Sequence, residues 1–161
     1  MSARASLIVE CRFATRDGVP SRRLLQRWAG AALGARGAGR EMALQTVGPA
    51  RMRSLNRRYR GKDKPTNVLA FPAPVTPGAG PLPLGDVVIC PTVLKREARE
   101  QGKPERAHWA HLVVHGTLHL AGYDHEQDAD AQRMERREIA VLRSLGFPNP
   151  YRVTPRQGAG T

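Results

Sequence analysis

All five histidines of this 161-residue chain lie between positions 108 and 125. His108, His111, His115 and His119 are spaced three or four residues apart. On a helix, at about 100° per residue, they fall within roughly 80° of one another and form a single polar stripe. Trp109, Leu112, Val113, Leu118 and Leu120 occupy the other faces. Neutral imidazole is the commonest metal ligand, so the stripe is first a question of coordination. His115 and His119 stand one turn apart, about 6 Å, and can converge on one ion. His111 is about 12 Å along the axis from His119, too far to share that ion.

A third ligand must therefore come from outside the helix. Gly122 is the expected left-handed stop, and the chain Tyr123-Asp124-His125 can fold back beyond it toward the two helical histidines. The resulting pattern, H-x3-H-x5-H, offers His115, His119 and His125 to one metal. Three neutral imidazoles leave a coordination place for water, which is the pattern of a catalytic zinc site and not of a closed structural one. Zinc lowers the pKa of bound water to about 7. Other transition metals also accept three histidines, so the spacing leaves the metal's identity open. A nucleic-acid surface carrying histidines is the competing reading, but it does not explain their place in an otherwise apolar helix. His108 and His111 can be donors behind the ligands, substrate contacts or merely satisfied histidines, and the last is preferred. Where a zinc peptidase has a Glu after its first histidine, this chain has Gly116, which disfavours peptide hydrolysis. Some other group must position the water or neutralise the transition state.

Helices and strands must hold this constellation. Residues 6–13 (SLIVECRF) read as a strand. Pro20 and Ser21 open a helix with Leu24, Leu25, Trp28, Ala31, Ala32 and Leu33 at helical spacing. Residues 34–40 are Gly-rich and predict a loop, residues 42–47 a second strand, and residues 51–59 a short, strongly basic helix. TNVLAF, residues 66–71, predicts a third strand, and DVVIC, residues 86–90, a fourth with an acidic start. Residues 72–85 are so rich in Pro and Gly that they predict a flexible or extended loop without regular structure. Further helices are expected over residues 91–101, 104–121 and 128–145, each closed by a glycine. The sum is one α+β (mixed α/β) domain over residues 1–151, a mixed sheet of about four strands packed by about five helices, with residues 152–161 a disordered tail. The first two strands, joined across a helix, should be a parallel pair.

Composition narrows the partner. Lys and Arg total 26 against 14 Asp and Glu, a formal charge of +12. Arg dominates the excess, and its guanidinium matches phosphate bidentately at any physiological pH. A polyanion, above all nucleic acid, is the natural partner. Arg51, Arg53, Arg57, Arg58 and Lys62 surround Arg60 in sequence and are candidates for phosphate contacts, the alternative being a solvated helix face. Asp86 and Asp124 are candidate carboxylates for orienting an imidazole or the water, or equally for capping a strand or turn. Cys11 and Cys90 lie in apolar runs without metal-binding spacing and read as reduced core thiols. Leu7-Ile8-Val9 is too short for a signal segment, and no stretch approaches the ~20 apolar residues of a membrane span. A cytoplasmic protein without a membrane partner is expected.

The segment HGTLHLAGYDH, residues 115–125, resembles the signature of the YbeY family of bacterial endoribonucleases, or rRNA maturation factors. LNRRYRGKDKPTNVLAFP (55–72), GDVVIC (85–90) and AHWAHLVVHG (107–116) agree with it, and the resemblance runs in order over about residues 7–151. It implies a metal-dependent, single-strand-specific endoribonuclease acting in 16S rRNA 3′-end maturation and ribosome quality control. It implies zinc, one per chain, on His115, His119 and His125, and a functional Arg at Arg60. The implied partners are single-stranded RNA, small-subunit ribosomal RNA and the ribosome, with ribosomal proteins or an assembly GTPase as candidate protein partners. On charge grounds, zinc would polarise one phosphodiester oxygen while Arg60 donates to the others. The rivals are a metal-dependent hydrolase of some other substrate, and an RNA- and protein-binding ribosome-assembly factor with a mainly structural zinc.

Overall fold

The computed structural model describes residues 6–16, 18–74, 83–124 and 126–152. Four strands, β1 (Ile8–Phe13), β2 (Glu41–Thr46), β3 (Val68–Pro72) and β4 (Pro83–Ile89), form one sheet in the order β1-β2-β4-β3. β1 and β2 are parallel, as are β2 and β4, while β3 runs antiparallel to β4 and forms an edge. Among the described residues five helices accompany it: α1 (Arg22–Leu33), α2 (Pro49–Arg60), α3 (Pro91–Gln101), α4 (Glu105–Leu120) and α5 (Asp128–Ser144). The mixed α+β architecture and the parallel first pair are those expected from the sequence.

α4 is the central element. Ten of its sixteen residues are buried, on every face but part of the histidine stripe, because α1, α3, α5 and the sheet all pack against it. Trp28, Leu44, Val87, Ile89, Trp109, Leu118, Met134 and Leu142 share the main core. The opposite sheet face carries a smaller cluster of Val47, Met52, Leu69, Val88, Cys90 and Val93, which holds α2 and α3. Cys11 and Cys90 are buried free thiols, as expected. α2 buries only Met52 and Asn56 and leaves its arginines in water. Its end is nevertheless fixed. Gly61 caps it in the left-handed conformation (φ 71°), and the Asn56 amide donates to the Lys64 carbonyl at 2.8 Å, tying the following loop back to the helix.

Three local expectations change. Residues 34–37 of the presumed loop form a short 3-10 turn continuing α1, with Gly37 so close to Leu33 that a Cβ would meet its Cβ at 3.0 Å. α2 begins at Pro49, two residues before the basic run, since Pro is well suited to a first turn. The stretch expected to lack regular structure from residue 72 to 85 instead ends in strand: Pro83, Leu84 and Gly85 belong to β4. Pro83 starts the strand, where a missing N–H is tolerated. The register slips by one residue there, Glu41 pairing with Pro83 and Met42 with Gly85, so a bulge accommodates the glycine. Gly85 has φ 129° and lies against the Phe71 carbonyl so closely that no side chain fits. Residues 75–82 of that stretch, and 153–161 of the expected tail, lie outside the described residues.

Candidate metal centre and active-site cavity

The histidine stripe of α4 meets different surroundings along its length. At its C-terminal half, His115, Gly116 and His119 line a cavity of about 330 Å³ together with Tyr59 and Arg60 from the end of α2, Val68, Ala70 and Phe71 from edge strand β3, and Asp124 and Glu126 beyond Gly122. Gly122 has φ 101°, the backbone turn expected of it. The cavity thus joins Arg60, His115, His119 and Asp124. His125 lies outside the described residues. Asp86 lies elsewhere, in a depression lined by Glu10, Arg12, Glu41 and Ala43 on the sheet. The structure also explains Gly116. A Cβ there would stand 2.7 Å from Val87 Cγ1 and 3.1 Å from Cγ2, so α4 sits too close to β4 for a glutamate at this position.

Behind His115 lies a residue that the histidine spacing does not reveal. Glu138, on α5, is 0% exposed and accepts a hydrogen bond from His115 Nδ1. Its other oxygen accepts from the Tyr151 hydroxyl and stands 3.5 Å from His111 Nε2. Burial alone would raise the Glu138 pKa. The hydrogen bonds from His111, His115 and the Tyr151 hydroxyl outweigh it and hold the carboxyl below the ordinary carboxylate range. An ionised carboxylate only accepts, so His115 carries its proton on Nδ1 and presents the Nε2 lone pair for coordination. This is the carboxylate–histidine arrangement found behind metal ligands. Tyr151 is in turn pushed above the ordinary phenol range by burial and by Glu138, and serves as a donor. A signal for Glu138 does exist in the sequence: it falls between Met134, Val141 and Leu142 on the buried stripe of α5, an acid where an apolar residue belongs.

The donor set fits a transition metal. Donor atoms of His111, His115 and Glu138 lie within 4.8 Å of one another, and the cavity side adds His119. His108 belongs to another cluster. Its Nε2 bonds to Glu97 Oε1 at 3.0 Å, and the same oxygen accepts from the Asn67 amide at 2.9 Å, which links α4, α3 and the approach to β3.

The basic residues of α2 divide. Arg53, Arg57 and Arg58 line a wide, open depression of about 700 Å³ with Asp63. Arg53 makes a bidentate pair with Asp63 at 2.8 and 3.0 Å, an acidic partner that the surrounding sequence did not suggest. Arg51 and Lys62 are exposed.

The family profile described as Endoribonuclease YbeY matches residues 20–146, which include α1 through α5 and every cavity residue named above. The chain belongs to the YbeY endoribonuclease family. Among curated members of that family, Endoribonuclease YbeY of Alkalilimnicola ehrlichii is 54% identical over 144 residues, covering 87% of each chain. Endoribonuclease YbeY of Halorhodospira halophila is 51% identical over 138 residues, covering 82% of this chain and 88% of the relative. The solution structure of TM1509 from Thermotoga maritima shares the fold, with a TM-score of 0.55 at 22% identity, over 90% of this chain and 99% of that one. No helix among the described residues of this YbeY-family protein is long and apolar enough to cross a membrane.

Proposed function

We propose that this protein is a zinc-dependent endoribonuclease that cuts single-stranded RNA, with its role in 16S rRNA 3′-end maturation and ribosome quality control in the cytoplasm. The observation that carries the proposal is the shared cavity: a guanidinium from α2, Arg60, opposite two histidines of α4, His115 and His119. Membership of an endoribonuclease family supplies the reaction class, and the charge of +12 supplies the affinity for a polyanion.

His115, His119 and His125 would hold the metal on the cavity side. Two findings favour that side over the His111, His115 and Glu138 cluster. The Nδ1 of His115 is already committed to Glu138, and the neighbours of His125, Asp124 and Glu126, both line the cavity. Bound there, zinc supplies Lewis acidity toward a phosphodiester oxygen and lowers the pKa of a water. Glu138 keeps the imidazole of His115 in one tautomer and one orientation. Arg60, exposed at the helix end, offers paired N–H donors to the phosphate oxygens as negative charge grows on them. Arg57 and Arg58, which make no bidentate pair with an acid among the described residues, would bind flanking phosphates, with Arg51 and Lys62 further out. The ribosome, ribosomal proteins and an assembly GTPase are the proposed larger partners.

The test compares wild type with Arg60→Ala and His119→Ala on single-stranded and duplex RNA of one sequence. Cleavage of the single strand by wild type, lost in His119→Ala and reduced at least 10²-fold in Arg60→Ala, is expected from the loss of transition-state charge stabilisation. Normal cleavage by both well-folded variants would refute the placement of the active site in this cavity. RNA binding without cleavage in all three would point to the assembly factor.

A further inference from the structure

Three large apolar side chains stand exposed among the described residues: Ile8, Tyr59 and Tyr151. Tyr151 uses its hydroxyl on Glu138, and Ile8 lies on the sheet depression away from the histidines. Tyr59 is different. It is 57% exposed, and it lines the cavity that contains His115 and His119. Its ring meets Phe71 edge-on, with centroids 4.9 Å apart and planes at 63°. The Arg58 guanidinium lies 5.6 Å from its centroid. The ring is therefore held by neighbours while more than half of the side chain remains in water. It follows that Tyr59 adds little to the core, yet its position is well determined: one residue before Arg60, in the last turn before the left-handed cap at Gly61.

We propose that Tyr59, backed by Phe71, is the stacking platform for one unpaired nucleobase of the RNA strand whose phosphate Arg60 engages. This rests on the nuclease function proposed above and adds to it the origin of single-strand selectivity. Arginine and metal recognise a phosphate in duplex and single strand alike. A ring that must receive a base face does not: in an A-form duplex the bases are stacked on one another, whereas unpaired bases can be splayed onto an aromatic side chain. Every base has a π-face, so the platform selects strandedness with little regard to sequence. The consecutive order of Tyr59 and Arg60 matches a ligand in which base and phosphate alternate.

The experiment uses the full-length protein and a 2′-O-methyl oligoribonucleotide, which carries 2-aminopurine at one position at a time. Fluorescence anisotropy gives the affinity, and 2-aminopurine quenching reports stacking. Tyr59→Ala should weaken single-strand binding by roughly 5- to 150-fold, the range typical of one lost aromatic stack. It should leave duplex binding unchanged and abolish quenching at one position. Tyr59→Phe and Tyr59→Trp should restore both affinity and quenching, which a merely structural role of the hydroxyl or of the helix end would not allow. Wild-type affinity in Tyr59→Ala, or quenching that persists in it, overturns the platform while leaving the nuclease assignment standing. If wild type binds neither strand form, both proposals fall together.

Discussion

The N-terminal half of α4 carries His108 and His111, and the C-terminal half carries His115 and His119. All four share a helix, a stripe and a residue type, yet they meet different chemistry. His108, itself buried, bonds to Glu97, which also accepts from Asn67, in a half-buried cluster between α4, α3 and the approach to β3. His111 packs edge-on against the Tyr151 ring, centroids 5.3 Å apart, with Glu138 beyond. His115 and His119 open onto a cavity shared with Arg60. The difference is made by what lies opposite. The segment leading to Tyr151 closes over the first half, where the Lys103 ammonium donates to the Pro150 carbonyl at 2.6 Å. The second half faces edge strand β3 and the end of α2, which leave a gap. Periodicity puts four histidines on one stripe, and tertiary neighbours divide them into two that bond within the fold and two that line the cavity.

Exchanging one histidine from each half breaks the comparison most directly. His119→Ala should lose the metal and all RNA cleavage, because two ligands are too few for a stable three-histidine site. His111→Ala should keep one metal per chain, measured by elemental analysis after dialysis. Metal retained in His119→Ala but lost in His111→Ala would place the ion among His111, His115 and Glu138 instead. Next in size is Glu138→Gln. It preserves shape but removes the negative charge and turns one of the two accepting oxygens into a donor, so that His115 Nδ1 and the Tyr151 hydroxyl can no longer both be accepted, and metal affinity in a chelator competition should fall about 10- to 100-fold. Unchanged affinity would mean that the charge of Glu138 adds nothing to His115 as a ligand.

Gly116 sharpens the comparison at its midpoint, since it lies between the two cavity histidines against the sheet. Gly116→Ala places a Cβ 2.7 Å from a Val87 methyl, and Val87 is fully buried and β-branched, with little room to turn. Overpacking of this kind costs about 1–3 kcal/mol. The variant should show a lower urea midpoint with an unchanged m-value. The same change should displace His115 and His119 together, so metal affinity should fall with stability. A variant as stable as wild type would show that α4 can shift away from β4 without cost.

How much of this was legible follows from the kind of signal each residue carries. The pairing of His115 with His119 was readable, because one turn of helix fixes their separation whatever packs around it. The strands and the four-stranded sheet were readable where apolar alternation is strong. The start of β4 was not, because Pro83 and Gly85 are loop formers by propensity, and only pairing with β2 and a bulge makes them strand. Glu138 lies 23 residues from the imidazole it orients, on a helix crowded with charged residues, and its inward direction depends on how α5 docks on α4. Tyr151 lies further still, at the edge of what reads as a tail. Residues that act through a helix's own geometry are visible in one dimension. Those that act across elements need the fold.

The smallest expected effect concerns His108 and tests whether the first half of the stripe is structural. Burial lowers its pKa, and the hydrogen bond and charge of Glu97 offset only part of that. Its folded pKa therefore lies below its unfolded value of about 6.5. Between the two, the unfolded chain takes up a proton that the folded one refuses. The stability from neutral His108 is thus complete above about pH 6.5 and is lost as pH falls toward the folded pKa. His108→Gln keeps an amide donor for Glu97 and removes the titration. Urea unfolding of wild type should lose stability from pH 7 to pH 5 more steeply than the variant, with a small deficit for the variant at pH 7. The zinc content of the two should be equal throughout, because His108 bonds to Glu97 and not to the cavity. A slope shallower in wild type than in the variant would show that His108 is protonated in the fold. The Glu97 contact would then be an ion pair, and the two halves of the stripe would differ less in character than their neighbours imply.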